Sequence, residues 1–362
     1  MRVLIATPLY PPDPGGPATY ARSLEEELPG SGIGVSLVTF GAVRYLPPGV
    51  RHVVYLFLLL KEGKQADLIL ALDPVSVGLP AVIAAKLLKK PLVMKVVGDY
   101  AWEQGRQRFG VTEQLDKFYE ARSVAFEVRL LKRIEAWTAR QAVSLIVPSD
   151  YLKRIVSQWK GVDSNRITVI YNAMRAEEGG RVPAAVTALP RPCIVSVGRL
   201  VPWKQMEGIV DAMKDTDASL VIVGDGPSCE RIEQRVQATA PDRMLLTGAL
   251  SHADTLATMQ QADIFVLNST YEGLSHLLIE ALSLGLPIIA TNVGGNPELI
   301  TDAVNGLLIP SRDTSELQNA LALLLTDETL RTRLAVAARE SAKRFSMKSM
   351  VDATVALLQR SV

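Results

Sequence analysis

Cysteine is nearly missing from this 362-residue chain: Cys193 and Cys229 leave nothing for a disulfide framework, and neither stands in a C-x-x-C or C-x-x-H spacing that would read as a zinc knuckle or redox pair. Histidine is as scarce. His52, His252 and His276 lie far apart, outside any H-E-x-x-H or H-x-E pattern, so no metal site is expected. The longest unbroken apolar run covers residues 53–60, well short of the roughly 18–20 residues of a membrane-spanning helix. An excess of charge is also lacking: 39 basic residues against 38 acidic ones give +1. No global field gathers nucleic acid or an anionic membrane around the whole molecule, so no nucleic-acid partner is expected and any basic site must be local. The opening MRVLIATPLYPPDPGG has one Arg before a short aliphatic run that ends at prolines instead of a small-residue cleavage site. It reads as a buried strand rather than a signal peptide, and the cytoplasm is the expected address.

What is present is an ordinary folded interior, 48% apolar and 21% charged, in a length that predicts two domains at about 150 residues each. Apolar runs of four to six residues alternate with amphipathic stretches, the pattern of β-α-β units around a parallel sheet covered on both faces. In the first half the expected strands are 3–6, 35–39, 68–71, 92–97, 145–147 and 167–170. In the second they are 194–197, 220–223, 244–246, 264–267, 288–290 and 306–309. Between them residues 175–191, rich in Gly and Pro and without sustained period, read as a linker. Two doubly wound α/β domains, 1–174 and 192–345, are therefore expected to face a cleft, with ligands beyond the carboxyl ends of the strands.

One further stretch stands out. Residues 112–140 carry an apolar stripe that predicts a long amphipathic helix. From Arg122 to Lys160 eight basic residues face only Glu127, Glu135 and Asp150. This basic segment, 122–160, reads as a solvated face or as a patch docking on anionic lipid or a lipid-phosphate acceptor.

Three places carry chemistry. Gly15 and Gly16 follow the first strand and precede Pro17 at a first helical position; without Cβ atoms they let a ligand approach the free N–H groups of a helix start. The equivalent strand of the second half runs into Gly198 and Arg199, with Lys204 one loop later, two cations suited to a diphosphate unless Arg199 pairs with a structural carboxylate. After the strand 264–267 comes N-S-T-Y-E-G-L-S-H-L-L-I-E, in which Glu272 lies in a loop, Ser275 can cap the next helix and Glu280 lies inside it. Carboxylates suit sugars because both oxygens accept from vicinal hydroxyls.

At these residues the chain resembles the GT-B glycosyltransferases, specifically glycosyltransferase family 4 and its retaining relatives. The resemblance rests on V-G-R-L-V-P-W-K at 197–204, G-D-G-P at 224–227, E-G-L-S-H-L-L-I-E at 272–280, E-A-L-S-L-G-L-P at 280–287 and N-G-L-L-I-P at 305–310, all in family order and spacing. The Pro-Gly-Gly loop near residue 15, S-D-Y-L-K-R at 149–154 and I-Y-N-A at 170–173 extend it to the first half.

The resemblance implies a retaining, metal-independent enzyme, with no cofactor, that moves a hexosyl unit from a UDP- or GDP-sugar to a glycan or lipid-linked acceptor. Glu280 would bind the ribose hydroxyls and Glu272 the donor sugar. Arg199 and Lys204 would neutralise the diphosphate, with Gly198 beside them, Gly16 approaching the same phosphates or the acceptor, and backbone N–H groups near His276 and Leu277 completing the cradle. It further implies that the last helix, 346–362, crosses back to the N-terminal domain; the basic segment 122–160, by its charge, makes the inner face of a membrane an expected station. Two departures stand against the family pattern. Where many relatives have a histidine after the fourth strand, this chain reads M-K-V-V-G-D-Y, so Asp99 is a candidate for a sugar contact or else a helix cap. Gln205 stands where relatives often have glycine. A nucleotide-sugar 2-epimerase and a non-catalytic nucleotide-sugar-binding subunit are the alternatives, the latter motivated by the missing histidine.

Overall fold

The computed structural model describes residues 1–13, 15–47, 49–120, 124–174 and 179–362. It divides into two compact units, Met1–Asn172 with Met347–Val362, and Ala173–Ser346.

The first unit is built on six parallel strands, β1 (Arg2–Thr7), β2 (Gly34–Thr39), β3 (Leu68–Ala71), β4 (Leu92–Lys95), β5 (Ser144–Val147) and β6 (Ile167–Val169), in the order β2-β1-β3-β4-β5-β6. β3 and β4 are buried at every position, as continuous apolar runs must be when helices cover both faces. The helices are α1 (Gly16–Glu27), α2 (Val50–Gly63), α3 (Gly78–Leu88), α4 (Tyr100–Arg108), α5 (Leu115–Phe118), α6 (Phe126–Gln141) and α7 (Asp150–Ser157). The step from β1 to β2 runs one way along the sheet and every later step runs the other way. Right-handed crossovers therefore put α1 on one face and the α2, α3, α6 series on the other. α2 packs on α3, and α3 on α6.

The expected helix over 112–140 is not continuous. Only α5 and α6 form, because after Phe118 the chain leaves the helix and turns Tyr119 inward to bond the buried Asp99. The basic segment 122–160 is likewise no single helix: it comprises α6, β5 and α7, and Arg122 lies outside the described residues. Within it Lys132 faces inward, its Nζ donating to Phe118 O and lying 4.1 Å from the Phe118 ring centre. Glu135 is fully buried, accepting from the Tyr100 and Ala101 N–H groups.

The second unit holds β7 (Cys193–Val197), β8 (Ser219–Val223), β9 (Met244–Gly248), β10 (Ile264–Leu267), β11 (Ile288–Thr291) and β12 (Leu307–Ile309), all parallel, in the order β12-β11-β10-β7-β8-β9. Its helices are α8 (Ala184–Thr187), α9 (Met206–Ala212), α10 (Cys229–Thr239), α11 (His252–Gln260), α12 (His276–Leu284), α13 (Asn296–Leu299), α14 (Thr314–Thr326) and α15 (Glu328–Ala342). The helical period breaks at Lys343–Phe345, and α16 (Met347–Arg360) belongs to the first unit, beside the turn Leu28–Ser31.

The stretch expected to link the domains is largely part of the second unit. Residues 175–178 lie outside the described residues, but a Cβ on Gly180 would stand 2.0 Å from Ala253 O, and the Arg181 N–H donates to Asp254 Oδ1 at 2.6 Å. Backbone held this closely is docked, not free. Both cysteines are unpaired, and burial pushes the Cys193 thiol up to about 11, so it stays protonated at neutral pH.

Candidate functional site

In the second unit the chain steps from β7 to β8 and β9 on one side, then returns to β10, β11 and β12 on the other. The order reverses between β7 and β10, and ligands of open parallel sheets bind beyond the carboxyl ends of strands at such a point. Most of the residues singled out from sequence belong to this unit, and they follow the ends of β7 and β10 or lie in α12. Gly16 and Asp99 belong to the first unit.

After β7, Gly198 takes φ +148, open to glycine and strained for other residues, and its N–H donates to Val223 O at 3.0 Å. The loop is locked backbone to backbone: the Leu200 N–H bonds Asp225 O at 2.9 Å, and a Cβ on Gly224 would stand 1.9 Å from Gly198 O. G-D-G-P thus serves the cradle as the wall that shapes 198–201. Arg199 is exposed, and no hydrogen bond or ion pair holds it among the described residues, so the structural-carboxylate alternative finds no partner here. Gln205 sits in the left-handed region at φ +50, which explains why glycine suits that position.

Lys204 and Glu272 meet. Nζ lies 2.5 Å from Oε1, and the side chains are only 15% and 11% exposed, so little water screens the pair. Ser269 Oγ donates to the same Oε1 at 2.6 Å, and the Thr270 N–H donates to Trp203 O at 2.7 Å. The loops after β7 and β10 are therefore one body, in which Lys204 serves both Glu272 and any anion placed beside it. Behind them Gly294 and Gly295 press on the loop: a Cβ on Gly294, at φ +55, would stand 1.8 Å from Glu272 O, and the Gly295 N–H bonds that oxygen at 3.0 Å.

Ser275 caps α12, its Oγ accepting from the Leu278 N–H at 3.3 Å. His276 and Leu277 open that helix, where first-turn N–H groups have no intrahelical acceptor and the helix dipole favours an anion. One turn on, Glu280 is 8% exposed. Its Oε1 lies 2.9 Å from His252 Nε2, while Oε2 is buried with no hydrogen-bond partner among the described residues. A buried carboxylate oxygen without a donor is costly, and a ligand hydroxyl would satisfy it. His252 was not identified from the sequence as a site residue, since it opens α11 with no motif around it.

In the first unit Gly15, at φ +123, caps α1 and its carbonyl accepts from the Ala18 and Thr19 N–H groups, leaving Gly16 in the first turn. Asp99 is fully buried. Its Oδ1 accepts the Trp102 N–H at 2.8 Å, and Oδ2 accepts from Tyr119 and from Trp159 Nε1 at 3.2 Å. Both oxygens are taken up inside this unit, so the helix-cap reading describes Asp99 and a sugar contact does not. Burial raises its pKa, and burial together with the charge of Asp99 raises that of Glu135.

Comparison with known proteins agrees with this geometry. Residues 14–178 match the model of Glycosyltransferase Family 4, and residues 185–341 that of Glycosyl transferases group 1. The lipopolysaccharide core biosynthesis glycosyltransferase LpsD of Rhizobium meliloti is 30% identical over 68% of this chain and 73% of its own length. An uncharacterized glycosyltransferase of Methanocaldococcus jannaschii is 32% identical, over 43% of this chain and only 44% of that protein. Among solved structures, HepE of Anabaena, crystallised with UDP-glucose, superposes with a TM-score of 0.78 at 19% identity, covering 99% of this chain and 100% of that one. The two Rossmann-like sheets, the glycine-shaped loops at the β7/β10 switch point and these matches place the chain in the group 1, family 4 glycosyltransferases of GT-B fold.

Proposed function

We propose that the protein moves a hexosyl unit, with retention of configuration and without a metal ion, from a UDP- or GDP-sugar to a glycan or lipid-linked acceptor. The observation that carries the donor assignment is Glu280: a buried carboxylate with one oxygen held by His252 and the other lacking a donor among the described residues is an acceptor suited to a ribose hydroxyl. The UDP-glucose complex of the structural neighbour and the lipopolysaccharide-core role of the relative support the donor and acceptor classes.

In this reading the diphosphate lies beside Arg199, Lys204 and the N–H groups that open α12. As the bond from the anomeric carbon to the phosphate oxygen breaks, its electron pair passes to that oxygen. The growing charge meets two cations and a helix start, which supports compensation without a divalent ion. The acceptor hydroxyl attacks the anomeric carbon from the same face, and its proton passes to the phosphate oxygen. No protein base is then required. Glu272, fixed by Lys204 and Ser269, contacts the donor sugar.

The test is a thermal titration with UDP- and GDP-sugars of the wild type, Lys204→Ala and Glu280→Ala, followed by transfer assays. One nucleotide series should raise the wild-type melting temperature, and both variants should lose donor affinity and turnover while remaining folded. Full transfer activity in both would overturn the proposal.

A further inference from the structure

The solvent-facing stripes of α2, α3 and α6 have a composition that a water-facing surface does not need. At 100° per residue, Val53, Phe57 and Lys61 fall on one line of α2, which the capping residue Lys64 continues, opposite the buried Tyr55 and Leu59. On α3 the outward line holds Ile83, Lys86 and Leu87. On α6 it holds Phe126, Arg129, Leu130 and Arg133, opposite the buried Val128 and Glu135. Phe57 is 65% exposed, Leu87 64% and Phe126 64%, values at which single side chains gain little from the protein's own core.

These helices are neighbours in one layer, and Lys86 Nζ lies 5.1 Å from the ring centre of Trp137 on α6. Of the exposed carboxylates of the three helices, Glu62 sits about 140° from Phe57 and Glu127 about 100° from Phe126 and about 60° from Leu130. In a chain whose net charge is only +1, the face is apolar and basic together, with Glu62 turned aside and Glu127 at its edge outnumbered by lysines and arginines. Apolar side chains that enter an acyl boundary while lysines and arginines lie at headgroup height are what an anionic bilayer binds. No helix among the described residues is long and apolar enough to cross a membrane.

We infer that the α2, α3, α6 face of the first unit docks the protein on an anionic lipid surface. The contact rests on three helices rather than on the segment 122–160, part of whose charge is turned inward. It involves none of the donor residues, so its failure would leave the donor assignment standing.

The experiment is co-sedimentation of the full chain with phosphatidylcholine vesicles and with vesicles of phosphatidylcholine containing phosphatidylglycerol, at low salt and at 0.5 M salt. Binding is expected to the anionic vesicles alone, released at 0.5 M salt, where the screening length is about 4 Å. Lys61→Ala with Lys86→Ala should lower partitioning about 25-fold, at about fivefold per cation near the surface. Phe57→Ser with Leu87→Ser should lower it at least about tenfold while the donor-induced thermal shift is kept, showing an intact fold. Three results would overturn the inference: no binding to anionic vesicles at low salt, equal binding to neutral ones, or binding that ignores both pairs of substitutions. A wild-type dimer in sedimentation velocity that Phe57→Ser disperses would also overturn it, in favour of a second copy of the chain.

Discussion

At the scale of single residues the donor site depends on how carboxylates are held. His252 fixes Glu280 by one contact of 2.9 Å, and the Glu280 side chain is only 10% exposed. With the proton on Nε2 the ring donates to the carboxylate, a bond to a charged group that is worth about 1.5–3 kcal/mol when intact. His252→Ala should therefore raise the KM for the nucleotide sugar about tenfold or more, with kcat within about twofold, because the ribose is remote from the reacting carbon. Steady-state kinetics at saturating acceptor decide it, and an unchanged KM would remove His252 from the site. Gln205 offers the opposite sign. It holds a left-handed φ of +50 that costs a side-chain residue about 1–2 kcal/mol, part of which glycine returns as chain entropy. Gln205→Gly should raise stability by about 0.5–1 kcal/mol, seen as a melting temperature higher by about 1–4 °C. A lower one would mean that the bond from Nε2 to Pro202 O, at 2.7 Å, outweighs the strain.

Elements show what the sequence could and could not disclose. Apolar runs marked all twelve strands to within a few residues at their ends, because a buried parallel strand has no polar face to blur the signal. The cradle was readable because glycine, cations and glutamates stand close to strand ends in the chain itself. Contacts between distant segments were not. Gly294 against Glu272 and His252 against Glu280 exist only once the sheet order is known, and the break between α5 and α6 follows from a bond to Asp99 twenty residues away from Tyr119. Lys95 is another such case. It ends β4 fully buried, its Nζ donating to Asn172 Oδ1 at 2.9 Å and lying 3.4 Å from the Tyr20 ring centre of α1, so it joins β4, α1 and the segment that follows β6. Burial holds its pKa well below the usual lysine value. A base whose folded pKa is depressed supports folding above its unfolded value, near 10.4, and loses that support as pH falls toward the folded value. Compared with Lys95→Met, the wild type should gain stability as pH rises from 7 to 9.5. Thermal melts of both proteins across that range test this, and a constant or shrinking advantage would show that the amine is not desolvated as described.

On the scale of the whole molecule the two units carry different surfaces for different chemistry. The residues proposed to bind the donor cluster at the β7/β10 switch point of the second unit, whereas the apolar and basic helices belong to the first. Ligand-induced protection from hydrogen exchange is local when binding orders a loop and its capping helix, since amides there open with lower free energy than those of the core. A nucleotide sugar should therefore slow exchange in peptides covering 198–205 and 268–284 and leave those covering α2 and α3 unchanged. Anionic vesicles should do the reverse, slowing α2, α3 and α6 with no effect at 198–205. Mass spectrometry of the two footprints separates the roles without any knowledge of the acceptor. Protection of α2 by the sugar alone would tie that helix to donor binding, whereas protection at 198–205 by vesicles alone would move the lipid contact to the donor loops. Two footprints confined as expected would mean that one unit reads the nucleotide by fixed backbone and paired charge while the other meets its surface through side chains that the core leaves outside.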